Sequence, residues 1–323
     1  MTGEKIEFVS NRAEKYGGAI ANINDATMTV IASNIIFKSN SVNGDDAKGG
    51  AIYNENSTLN LMATEKMEFT GNTADGESNA IHDNGGTINL SAMGDNSQII
   101  INDRITSENE DSTLNINETL WSTGKIVLNE DMTGYTGQVN LYAGTVEIGA
   151  NGTWFGGNAY VEDATINMVN GMIKEHNFNN LTVNQNLNLF VDANLKKKEM
   201  DTISANNYSG EGKINVKALN IIEDATENRT KILFTSSTAL KDKITTIKTA
   251  NSQLYKYDVN YNSNTGNYEF LLTQKANPVI AESQVALVGG MVTQVIRYLE
   301  VWMFSWQQQE CHQNKKTDYM HQE

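Results

Sequence analysis

The chain has 323 residues and a formal net charge of −15, with 39 acidic against 24 basic residues; no basic face with interleaved aromatics appears, which excludes a nucleic-acid partner. Cys311 is the only cysteine, so there is no disulfide framework and no Cys-based metal site. Asn makes up roughly 13% of the residues, far above average usage, and with Thr, Ile and Val outweighing the helix formers the mixture suits short strands joined by turns.

From the N-terminus one pattern recurs three times. Phe8-Val9-Ser10-Asn11 leads to Gly17-Gly18-Ala19-Ile20, Phe37-Lys38-Ser39-Asn40 leads to Gly49-Gly50-Ala51-Ile52, and Phe69-Thr70-Gly71-Asn72 leads to Ser78-Asn79-Ala80-Ile81. From Ala19 to Phe37 and from Ala51 to Phe69 the distance is 18 residues both times, while the loop after Phe-x-x-Asn varies. A fixed strand portion with one variable loop predicts a solenoid whose coils stack in register. The second coil should hold three strands, Ala51-Ile52-Tyr53, Thr58 to Leu61 and Lys66 to Phe69. Equivalent strands would lie ~4.8 Å apart as parallel β-structure. Ala51, Ile52, Leu59, Leu61, Met67 and Phe69 form its expected core, with Asn60 outside. The Gly pairs would supply positive φ at a corner, and Asn11, Asn40 and Asn72 would stack as amide ladders.

Further along, the rhythm persists without the signature. Four-residue strands are expected at 87–90, 98–101, 113–116, 125–128 and 138–141, then strands of three to five residues at 144–148, 164–168, 181–183 and 187–189. Lys213 to Val216, Ala218 to Ile221 and Lys231 to Phe234 extend the array. Leu254 to Tyr261 and Asn267 to Leu272 flank a Gly-containing turn and predict an antiparallel hairpin over 251–275 that caps the last coil. After Pro278, Val279 to Arg297 reads as a helix. From about residue 300 the repeat grammar is gone, and residues 276–323 read as a linker helix and a disordered tail foreign to the fold. The resulting division is 1–250 as β-helix, with 1–85 the signature repeats, then the hairpin, then the tail.

At these Gly-Gly-Ala-Ile and Phe-x-x-Asn pairs the chain resembles the polymorphic membrane protein repeat of bacterial autotransporters, of the chlamydial type. Ser78-Asn79 departs from that signature. The resemblance implies an all-β, right-handed parallel β-helix, the hand that parallel crossovers favour. It also implies an adhesin-like passenger carried to the outer membrane or cell surface by a C-terminal β-barrel, with a host or bacterial surface protein or glycan as partner. The N-terminus shows no secretory apolar region, and the sequence stops before any barrel. The expectation is therefore of a fragment whose natural protein begins earlier and which lacks its own export signal and anchor.

No cofactor, metal or catalytic set is expected. One alternative to the adhesin-like reading is an inactive structural fragment; the other is a carbohydrate-active enzyme, since parallel β-helices also host polysaccharide lyases and hydrolases, whose sites need converging carboxylates. The candidates are Asp45-Asp46, Asp83 with His82, and Asp103-Arg104, and none recurs at coil spacing. Asp45-Asp46 reads as a turn with too few ligands for Ca²⁺. His82 reads as a solvent-facing corner residue, and His176 has no second ligand at metal spacing. Tyr53, Tyr142, Trp154, Phe155 and Tyr160 are read as exposed aromatics, either able to bind sugars on a flat face or merely scattered and needing no explanation. The candidate contact loop is Ser41 to Lys48, with Asn43, Asp45, Asp46 and Lys48.

Overall fold

The computed structural model describes residues 1–274; the expected helix and tail lie outside them. Among the described residues there is no helix, and the chain winds as a parallel β-solenoid of about 9 turns ending in an antiparallel sheet. An early coil has three walls. Ile52–Glu55 belongs to a four-stranded sheet, Thr58–Thr70 to a 15-stranded sheet, and Thr73–Ala74 to a second four-stranded sheet. The strands expected at 58–61 and 66–69 are the two halves of that single strand. An irregularity at Thr64-Glu65 bends it, and the halves pair with different neighbours, Thr87–Ala92 and Gln98–Ile101.

Parallel in-register pairing places like residues one strand spacing apart, so each signature position stacks on itself. Ile20, Ile52 and Ile81 pair in turn, as do Phe8, Phe37 and Phe69. The three phenyl rings stack with centroids 4.7 Å apart at both steps. All six residues expected in the second coil's core are fully buried, and alternation leaves Asn60 on the outer face.

The constant 18-residue span conceals two local differences that cancel. Asn22 pairs with Asn54 and Thr27 with Thr58, so the first turn holds one residue more in the earlier copy. Ala32 pairs with Ala63 but Asn34 with Lys66, so the bend holds one residue fewer there. The sum keeps Phe37 over Phe69. Register of the buried aromatic, rather than the shape of each turn, is what the spacing maintains.

The two glycines of a Gly-Gly pair answer different demands. Gly49 has φ +68°, where a side chain is strained. A Cβ on Gly50 would lie 2.4 Å from the Thr73 amide nitrogen of the next coil. In the third copy the loop closes as a tight antiparallel hairpin, Thr73–Ala74 with Glu77–Ser78, across Asp75 and Gly76, both at positive φ. That hairpin ends its sheet, no further strand crowds position 79, and Ser78-Asn79 is tolerated.

The late part departs from expectation in several places, among them the unexpected short strands Ile244–Thr246 and Thr249–Asn251. Thr202–Ser209 is a strand that periodicity did not reveal, paired in parallel with Glu175–Asn194. Lys231 to Phe234, expected to extend the parallel array, instead falls in Arg229–Leu233 and its flank and pairs antiparallel with Asn267–Gln274. The predicted hairpin is present as Lys256–Asn262 and Asn267–Gln274. Phe234, Tyr257, Tyr268 and Phe270 join the same continuous core as the coils. The Tyr257 hydroxyl donates to Asp224 at 2.8 Å, and the Tyr268 hydroxyl reaches Thr246 at 2.7 Å. Four antiparallel strands thus cover the final coil and shield its core.

Candidate functional site

Most signature residues are occupied in holding coils together. The Asn40 side-chain amide donates to Asn72 Oδ1 at 2.8 Å and to the Phe8 carbonyl at 2.9 Å, while its Oδ1 accepts from Asn11. Asn72 in turn donates to Asp103 at 2.7 Å. The amide ladder expected at Asn11, Asn40 and Asn72 is therefore present and ends on a carboxylate, which needs only to accept. A second buried ladder runs Asn22, Asn54, Asp83. A third follows the outer face through Asn60, Asn89, Asn115 and Asn140.

The loop Ser41 to Lys48 stands on this scaffold. Its base is fixed by backbone bonds from Asn43 to Ala13 and from Lys48 to Lys15. Asn43, Gly44, Asp45 and Asp46 are exposed at the tip, with Asp46 at φ +58°. Lys48 is half-buried at its root, 3.6 Å from Glu108. Gly17 to Ile20, Gly49 to Ile52 and Ala80-Ile81 all lie at the turn into the next coil, beneath the loops and not within them.

A second corner carries an element that sequence reasoning missed. Between the strands Thr113–Ile116 and Lys125–Leu128, the Ser122 amide donates to the Thr119 carbonyl at 2.9 Å. Leu120 and Trp121 are thrown to the tip of this turn and are 93% and 76% exposed. They are the two most exposed large apolar residues among the described residues. The visible signal was a Leu-Trp pair inside a polar connection.

The carboxylates weighed for catalysis do not converge. Asp45 and Asp46 are on the loop tip, whereas Asp83 and Asp103 are buried at the ends of separate ladders. Asp103 and Arg104 lie in the bend between the strands Gln98–Ile101 and Ile105–Thr106, where Asp103 is buried and Arg104 lies 3.9 Å from Glu130. His82 is not the expected solvent-facing residue. It is buried, stacks parallel on Tyr53, which itself stacks on Tyr16, and contacts Thr106 Oγ1 at 2.9 Å. Burial, helped by the Lys48 charge, pushes its pKa down to about 4 and keeps it neutral. Tyr53, Trp154 and Phe155 are likewise buried rather than exposed, Tyr53 between Tyr16 and His82 and Trp154 between Phe155 and Phe178; Tyr142 and Tyr160 are partly exposed. Among the described residues no group of three or more His, Cys, Asp or Glu side chains is placed to hold a metal ion, and no helix is long and apolar enough to cross a membrane.

The fold and its surface define a stacked β-solenoid whose interior is repetitive and whose corners differ from coil to coil. Residues 34–55 match the family model of the Chlamydia polymorphic membrane protein repeat. That segment holds Phe37, Asn40 and the whole of Gly49 to Ile52, so the chain carries a repeat of this type. No curated protein and no solved structure matches it.

Proposed function

We propose that the chain is a non-enzymatic, adhesin-like passenger segment of the autotransporter type, presenting corner loops to a host or bacterial surface protein or glycan. The supporting observation is the separation of tasks along each coil. Phe, Asn and Gly-Gly positions are consumed by stacking, whereas Asn43 to Asp46 and Leu120-Trp121 are exposed and bonded to little else. The repeat over residues 34–55 supports a location at the outer membrane or cell surface. Attachment there would come through a C-terminal barrel of the kind such passengers use. The exposed carboxylates of Asp45 and Asp46 fit a basic partner surface, and the Leu120-Trp121 turn fits an apolar recess.

The purified chain, incubated with epithelial and with bacterial cells, should bind one of them saturably and should release no reducing ends from pectin-type or host glycans. Glycan turnover that disappears in Asp45→Asn, Asp46→Asn or Asp103→Asn would overturn the reading in favour of a carbohydrate-active enzyme.

A further inference from the structure

Four Asn-Gly steps occur in the chain, at Asn43-Gly44, Asn84-Gly85, Asn151-Gly152 and Asn170-Gly171. In such a step the glycine amide nitrogen can attack the asparagine side-chain carbonyl carbon, because the glycine has no side chain to block the approach. The attack needs that nitrogen free of a hydrogen-bond acceptor and the asparagine side chain free to turn. Alike in sequence, the four steps differ in what the fold does with these two groups.

Three are held. The Gly85 amide donates to Ser112 Oγ at 2.8 Å, and the Asn84 side chain bonds Glu55 at 2.9 Å and Asn109 at 3.3 Å. The Gly171 amide donates to the buried Asp192 carboxylate at 2.7 Å. Asn170 is fixed at both side-chain ends, by the Ile148 carbonyl at 3.0 Å and the Met172 amide at 2.8 Å. Asn151 is exposed, but Gly152 is buried, and its amide donates to the Gly149 carbonyl at 2.9 Å. Attack at any of these three first requires a bond to break and the coil to open locally.

Asn43-Gly44 is not held in this way. Both residues are exposed at the tip of the loop Ser41 to Lys48. Backbone bonds flank the step, from the Asn43 amide to the Ala13 carbonyl and from the Ala47 amide to the Gly44 carbonyl, both at 3.2 Å. The Gly44 amide itself has no acceptor among the described residues. The Asn43 side chain makes one long contact, 3.4 Å to Ser41 Oγ.

We infer that Asn43 is a site of spontaneous deamidation and that the fold protects the other three Asn-Gly steps. The Gly44 nitrogen gives up its proton to solvent and bonds to Asn43 Cγ; the Cγ–Nδ2 bond breaks, and the departing nitrogen takes a proton from water and leaves as ammonia. Water then opens the cyclic imide. Addition at Cγ gives aspartate, and addition at the main-chain carbonyl gives isoaspartate, in which the chain runs through the side-chain carbons. The net change consumes one water, releases one ammonia and exchanges the amide for a carboxyl group. Ser41 to Lys48 then carries three acidic groups where it had Asp45 and Asp46. The effect on contact rests on the proposed function; the conversion does not.

Peptide mapping by mass spectrometry, on the full chain held in mildly alkaline buffer, tests it. In the folded chain Asn43 should convert at least about tenfold faster than Asn84, Asn151 or Asn170, because each of those must first lose a protecting bond. In guanidinium chloride the four rates should converge. Asn43→Gln should abolish the first acidic species to appear on anion exchange while keeping the parent melting midpoint. Conversion at Asn43 no faster than at the other three, or a preference for Asn43 that persists unchanged in denaturant, would overturn the inference. Failure of the fresh chain to bind cells would count against the proposed function alone.

Discussion

Asn40→Ala should be among the most damaging substitutions of a polar residue in the chain. The side chain is fully buried between two like residues. Its amide nitrogen serves Asn72 Oδ1 and the Phe8 carbonyl, and its oxygen takes the Asn11 side chain at 2.8 Å and the Asn11 backbone amide at 3.0 Å. Truncation removes these four side-chain bonds, one fully buried and three partly buried, worth about 0.5–1.5 kcal/mol each, while Asn72 Oδ1 keeps the Asn40 backbone amide at 3.1 Å. The expected loss is about 3–5 kcal/mol in urea unfolding followed by far-ultraviolet circular dichroism. Asn11→Ala truncates the exposed end of the same ladder, where water replaces the lost bonds, and should cost about 1 kcal/mol or less. Asn40→Asp should be at least as harmful as Asn40→Ala, since a carboxylate cannot donate and would face Asn72 Oδ1 at the present 2.8 Å. Equal small losses at positions 11 and 40, or a harmless Asn40→Asp, would show that the ladder does not hold the coils.

Gly50→Ala should cost about 3 kcal/mol or more, because the new Cβ meets Thr73 backbone at 2.4 and 2.5 Å. Gly76→Ala, at φ +79° in open space, should cost only about 1 kcal/mol; thermal melting separates the two. Burial lifts Asp83 to about 6. The folded chain then holds the proton more tightly than the unfolded chain, and this residue's contribution to stability falls as pH rises from about 4 to about 6. Asp83→Asn should therefore gain about 1–3 kcal/mol at pH 7 and nothing at pH 4, read from urea midpoints at both values. Replacing Leu120 and Trp121 together by Ala should change stability by less than about 0.5 kcal/mol yet reduce cell binding at least about tenfold; an unchanged binding isotherm would remove this turn from the contact surface.

How far the chain could be read depended on what each feature rests on. Phe37, Asn40 and Gly50 were legible because parallel stacking makes the same demand in every coil, so the demand appears as repetition. Strands such as Gln98–Ile101 and Lys125–Leu128 were legible from alternation alone. Thr202–Ser209 was not, since Ser, Asn and Thr fill it and only Ile203 and Ala205 are buried. Arg229–Leu233 alternates as a parallel or an antiparallel strand would, and only its partner tells them apart. The burial of His82 follows from Tyr53 lying beneath it, a neighbour 29 residues away. Leu120 and Trp121 owe their exposure to the shape of a turn.

The separation of a fixed stack from variable corners is tested most directly by exchanging a corner. Replacing residues 41–48 with the shorter Thr73 to Glu77 segment, which already closes the same corner one coil later, should leave the melting midpoint nearly unchanged, because shortening a loop alters closure entropy by less than about 1 kcal/mol. Cell binding by the exchanged chain should fall at least about tenfold relative to the parent. Binding that survives the exchange in full, or a chain that no longer folds, would contradict the assignment of stacking to the repeat and recognition to the loop.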